Sequence, residues 1–155
     1  MMDQKKNLIH ASCVSVNGHG VLIMGPSGSG KSDLALRLIA AGGRLVSDDY
    51  VHIGNFNGEL MAMTPSAIAG LIEVRGVGLV RFPYLSTIKV DLVLALTDRP
   101  PGNAPEERLP EAQYQQLQGV DVPLLPFYPF EASAVDKVKA AVLYYAGRAG
   151  KKRRP

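Results

Sequence analysis

Residues Gly25-Pro26-Ser27-Gly28-Ser29-Gly30-Lys31-Ser32 match the pattern G-x-x-x-x-G-K-[ST] at every position. The chemistry this pattern carries is phosphate binding. Its glycines let backbone N–H groups turn inward around phosphate oxygens at the start of a helix. Lys31 brings a positive charge to the β and γ phosphates, and the Ser32 hydroxyl is a Mg²⁺ ligand. Gly25, Ser27, Gly28, Ser29, Gly30, Lys31 and Ser32 are therefore the candidate residues for a nucleoside triphosphate or pyrophosphate. The plainer alternative is a glycine-rich turn with an unrelated lysine. An apolar run before the loop and a helical pattern after it argue against that. The loop alone does not name a reaction.

Phosphoryl-transfer enzymes of this kind set an aspartate at the end of a neighbouring strand to hold the metal. Asp48-Asp49 closes Arg44-Leu45-Val46-Ser47, with Asp48 seventeen residues beyond Lys31. Asp98 closes Val90 to Thr97. By pattern alone Asp98 is the better metal aspartate, because its strand is longer and more apolar. A doublet suits group transfer better: one carboxylate holds the metal while the other takes a proton from an acceptor hydroxyl. Either could instead be an ordinary strand-end aspartate. The chain contains no Asn-Lys-x-Asp guanine motif, which argues against a GTPase. The loop from Arg99 to Arg108 could form the lid of a small-metabolite kinase.

These residues need elements to position them. Val21-Leu22-Ile23-Met24 is a continuous apolar run, expected as a strand buried on both faces. Lys31 to Ala41 reads as a helix with Leu34, Leu38 and Ala41 on one face, stopped by Gly42-Gly43. Tyr50 to Ile53 and Glu59 to Met63 flank a turn-rich segment and read as a hairpin. Leu71 to Val74 and Gly78 to Phe82 are strand candidates around Arg75-Gly76. Ile88 to Leu96 is the strongest strand pattern, and Pro100 to Pro110 reads as a polar loop. Val120 to Tyr128 is extended, since Pro123, Pro126 and Pro129 exclude a helix interior. Ser133 is placed to cap a last helix, with Val135, Val138, Val142 and Tyr145 on one stripe. The order predicts an α/β fold: a mixed sheet with one helix after the glycine loop and another at the C-terminus.

A chain of 155 residues makes one domain by size. It is 46% hydrophobic and 20% charged, too apolar for a disordered chain. One cysteine, Cys13, excludes an internal disulfide and a cysteine zinc site, and fits a reducing compartment. No apolar run approaches the about 20 residues a membrane span needs, and no signal-peptide core is visible. A cytoplasmic protein without a membrane partner is expected. Of the net charge of +3, five positive residues (Arg148, Lys151, Lys152, Arg153 and Arg154) fall in the last eight, and the rest stands at −2. The basic pI thus belongs to a tail, read as disordered over 148–155, with the domain over 1–147. No nucleic-acid partner is expected.

Three segments taken together carry a resemblance. The first is Ile9-His10. The second is the glycine loop running into Asp33-Leu34-Ala35-Leu36 and on to Gly42-Gly43-Arg44-Leu45-Val46-Ser47-Asp48-Asp49. The third is Leu71-Ile72-Glu73-Val74-Arg75-Gly76-Val77-Gly78. Over roughly residues 9 to 98 the chain resembles the HPr kinase/phosphorylase family, and in particular its C-terminal catalytic domain. That family phosphorylates a serine of HPr, the phosphocarrier protein of the sugar phosphotransferase system, and can remove the phosphate by phosphorolysis. The resemblance implies a P-loop fold of the HPr kinase/phosphoenolpyruvate carboxykinase type, ATP as donor and Mg²⁺ as cofactor. It implies Asp48 as the catalytic acid/base, Ser32, Asp49 and Glu73 as metal ligands, and His10 close to the transferred phosphate. Arg75 would shape the active site and the contact with HPr. A homo-oligomer, typically a hexamer, is implied too.

The departures from the family also carry expectations. Members commonly have about twice this length, so the chain resembles a short, catalytic-domain form. The stretch Arg81-Phe82-Pro83-Tyr84-Leu85 lacks a longer family loop. The family's Pro-x-Arg-Asn-Leu segment is replaced by Pro129-Phe130-Glu131-Ala132-Ser133-Ala134, without arginine. Glu131 would repel phosphate there, so a kinase with weak phosphorolysis is expected. Two other readings stay open: a small-molecule P-loop kinase, and a nucleotide-sensing regulator that signals through its basic tail.

Overall fold

The computed structural model describes residues 6–150, so Lys151, Lys152, Arg153 and Arg154 of the expected tail lie outside it. The strands are β1 (Lys6–Val16), β2 (His19–Met24), β3 (Arg44–Ser47), β4 (Tyr50–Phe56), β5 (Glu59–Met63), β6 (Leu71–Val74), β7 (Gly78–Arg81), β8 (Thr87–Leu96), β9 (Gln113–Leu117) and β10 (Val120–Phe127). The helices are α1 (Lys31–Ala40), α2 (Pro105–Arg108) and α3 (Ala134–Tyr145). The expected mixed α/β architecture is present.

Two long strands organise the molecule. The first half of β1, Lys6 to His10, pairs with β4, and its second half pairs with β2 and β3. Strand β8 pairs with β5 over Thr87 to Lys89, and from Val90 onwards with β2 and then β10. Because β4 and β5 also pair, the strands β1, β4, β5, β8 and β2 close a ring. Strands β6 and β7 form a separate two-stranded sheet.

Strands β2, β8 and β10 are mutually parallel, and β3 shares their direction because both it and β2 run antiparallel to β1. Four C-terminal strand ends therefore meet at one edge, where α/β sheets bind ligands. They deliver Gly25, Asp48, Thr97 and Tyr128 to it.

The apolar run of β2 is explained by two cores. Val21 and Ile23 pack with Leu34 and Leu38 of α1 and with Val138 and Val142 of α3. Leu22 faces the other way, among Cys13, Val46, Val51, Ile53 and Val93 inside the ring. Each such side chain contributes roughly 1.5–3 kcal/mol by leaving water.

Some expectations are corrected. The Pro100 to Pro110 loop contains one helical turn, α2, started by Pro105. Strand β9 was not foreseen: Gln113-Tyr114-Gln115-Gln116-Leu117 is a polar edge strand without β-branched residues. Ser133 precedes α3, but its hydroxyl makes no capping bond. Packing also continues past the boundary expected at residue 147. Ala149 is buried, the Gly150 N–H donates to the Asp121 carbonyl at 2.8 Å, and the Arg148 guanidinium lies 4.7 Å from the Tyr144 ring centroid. No helix among the described residues is long and apolar enough to cross a membrane.

The thiol of Cys13 is fully buried, and burial pushes its pKa from 9.0 up to about 12. Between those values the native chain keeps a proton that the unfolded chain has lost, so stability falls as pH rises, by up to roughly 1.4 kcal/mol per unit. Urea unfolding at about pH 8 and about pH 10.5 should show a steeper loss for the wild type than for Cys13→Ala. Equal slopes would contradict this burial.

Candidate active site

The glycine loop joins β2 to α1. Gly28 (φ 82°) and Gly30 (φ 102°) both adopt the left-handed conformation that side chains disfavour, so the loop can turn its backbone inward. Lys31 opens α1 and is buried, and its Nζ donates to the carbonyls of Gly25 at 2.6 Å and Pro26 at 3.0 Å. Burial lowers its pKa from the usual lysine value, while Asp49 and then Asp48 pull it back up. The Ser29 hydroxyl is buried without a hydrogen-bond partner. A cationic group resting on carbonyl oxygens and an unpartnered hydroxyl fit a phosphate group, which would satisfy both.

The two aspartates differ in burial and in partners. Asp48 is buried, and its carboxylate accepts from Ser32 Oγ at 2.8 and 2.9 Å and from Ser12 Oγ at 2.7 Å. Asp49 is exposed. Its Oδ1 accepts from His10 Nε2 at 2.9 Å, and the His10 ring lies 5.2 Å from that of Tyr50. The split has a local cause. The Tyr50 N–H donates to the Asp48 carbonyl at 2.8 Å, closing a three-residue turn on Asp49, whose φ is 73°. The turn sends the two neighbouring carboxylates to different partners. The donor set of Ser32 with Asp48 suits Mg²⁺, which is held by few protein oxygens together with phosphates.

Other expected residues are not gathered with these. Glu73 is exposed on β6, and Arg75 is exposed at the turn between β6 and β7 rather than inside a strand. Among the described residues neither makes a hydrogen bond or ion pair to the doublet, and no group of three or more His, Cys, Asp or Glu side chains forms a metal cluster. Arg99 and Arg108 are exposed. The Glu131 carboxylate accepts from Lys137 Nζ at 2.6 Å, which offsets part of the charge expected to repel phosphate. Sequence reasoning missed Ser12, the buried donor to Asp48. The available signal was a hydroxyl two residues after His10, between Ala11 and Cys13.

A cleft of about 380 Å³ opens beside the loop, lined by Pro26, Ser27, Gly28 and Ser29 on one side and by Leu96, Thr97, Asp98 and Phe130 on the other.

Residues 3–135 match the family described as the HPr Serine kinase C-terminal domain. The chain belongs to that family. It is 34% identical over 145 residues to an HPr kinase/phosphorylase of Clostridium beijerinckii, covering 88% of this chain and 48% of the relative. It is 30% identical over 135 residues to one of Malacoplasma penetrans, covering 81% and 45%. The chain thus spans about half the length of the curated relatives it matches. The Hpr(Ser) kinase/phosphatase structure from Coxiella burnetii superposes with a TM-score of 0.77 at 27% identity, covering 91% of this chain and 99% of that one. This HPr serine kinase domain therefore shares the family's mixed α/β fold.

Proposed function

We propose that the chain is an ATP-dependent protein serine kinase acting on an HPr-type phosphocarrier protein. The observation that carries this reading is the pair of contacts beside the glycine loop: Ser32 on Asp48, and His10 on Asp49. Lys31 and the loop backbone would hold the triphosphate, and Ser32 with Asp48 would hold Mg²⁺. Held there, the ion would supply positive charge to the phosphate oxygens.

This geometry supports exchanging the roles implied by the resemblance. Asp48 is committed to Ser32 and Ser12, so it serves the metal side. Asp49 is exposed and oriented by His10, so it is the group free to meet an acceptor hydroxyl. As the acceptor serine oxygen bonds the γ phosphorus, its proton passes to the Asp49 carboxylate. The bridging P–O bond to the β phosphate breaks, and the diphosphate leaves. Glu73 and Arg75 lie on an exposed hairpin and are assigned to acceptor contact rather than to the metal.

The test is incubation with γ-labelled ATP and Mg²⁺, with and without an HPr-type protein. Label on a serine of the acceptor is the expected result. Hydrolysis without transfer, or transfer to small metabolites alone, would overturn the reading.

A further inference from the structure

The loop after β10 carries an aromatic side chain that the phosphate chemistry does not use. Phe130 is 55% exposed, a costly position for a large apolar ring, yet the backbone on both sides of it is held. Arg37 of α1 donates from Nη1 to the Pro129 carbonyl at 2.8 Å and from Nη2 to the Glu131 carbonyl at 3.2 Å. Pro129 is buried, and Glu131 is tied to Lys137. The ring of Phe130 meets that of Tyr128 edge to face, with centroids 5.5 Å apart and planes at 80°. A Cβ placed on Gly30 would lie 3.3 Å from its ring carbons, so the ring stands directly against the glycine loop.

Topology gives this position its meaning. The parallel strands β2, β8 and β10 end side by side, so the glycine loop, the Thr97-Asp98 pair and the Tyr128 to Glu131 loop border one cleft. A nucleotide held by its phosphates in the loop must lay its base somewhere along that cleft. Among the described residues, Phe130 is the one aromatic side chain lining it.

We infer that Phe130 is the stacking platform for the nucleobase of the donor, held in place by Arg37. The inference deepens the kinase reading, since it presupposes a nucleoside triphosphate in the glycine loop. A stacked base contributes through its π face, so the site selects a nucleotide over bare polyphosphate.

The two parts are separated by calorimetry with MgATP and with magnesium tripolyphosphate, which has no base. The wild type should bind MgATP ~10-fold or more tightly than tripolyphosphate, the scale of one stacking contact. Phe130→Ala should weaken MgATP by that factor and leave tripolyphosphate unchanged. The chain contains no tryptophan, so Phe130→Trp adds a single reporter that should keep MgATP affinity and change its emission with MgATP alone. No loss of either ligand in Phe130→Ala, or a tryptophan emission unmoved by MgATP, would overturn the platform while leaving phosphate binding intact; equal loss of both would overturn it by making Phe130 a support of the glycine loop. Failure of the wild type to bind either ligand would overturn the kinase reading with it.

Discussion

Lys31→Ala is expected to lower phosphoryl transfer by at least ~10²–10³-fold, the scale of removing one preorganised group that stabilises transition-state charge. The lysine is buried at the start of α1, with its ammonium already resting on the Gly25 and Pro26 carbonyls inside the loop. Asp49 and Asp48 both favour its charged form, so its loss also leaves their negative charge less compensated. Steady-state transfer to the acceptor, measured beside a circular dichroism melt, separates chemistry from folding. A variant with normal turnover would make the loop a structural turn.

The second large effect divides the acidic doublet. Asp49→Asn keeps the shape and loses the basicity, and should lower transfer by ~10²-fold or more with MgATP binding retained. Asp48→Asn should act differently. Its carboxylate holds two serine hydroxyls, so the variant should raise the Mg²⁺ concentration needed for half-maximal rate and weaken MgATP binding. Rate against Mg²⁺, with binding measured in parallel, gives both readouts. The opposite pattern, with Asp48→Asn slow but fully binding and Asp49→Asn shifted in Mg²⁺, would restore the roles that the family resemblance implies.

The parts of the molecule legible in the sequence are those whose cause is local. The glycine loop, β2 and α1 are contiguous, and the two-sided burial of β2 leaves an unbroken apolar run that reads directly. The doublet was legible as a position, but the different surroundings of its two carboxylates depend on a backbone turn at Asp49 that residue type does not announce. Ser12 was hidden because a hydroxyl in a strand usually marks solvent, and its partner lies 36 residues away. Strand β9 was hidden because an edge strand needs no apolar alternation. The pairing of Glu131 with Lys137, six residues on, depends on how the loop after β10 enters α3. The closing of the ring through β1 and β8 is a long-range pairing that no short window contains.

The turn at Asp49 has a consequence for how this fold would change over time. A non-glycine residue at φ 73° carries a standing conformational cost, which aspartate tolerates better than most residues and glycine avoids. While the carboxylate is needed, selection for chemistry opposes selection for a relaxed backbone at this one residue. A descendant released from catalysis would feel only the second pressure and drift towards glycine. Among relatives that keep the glycine loop, the residue aligned with Asp49 would then mark which lineages still transfer phosphate and which have kept the scaffold for another purpose.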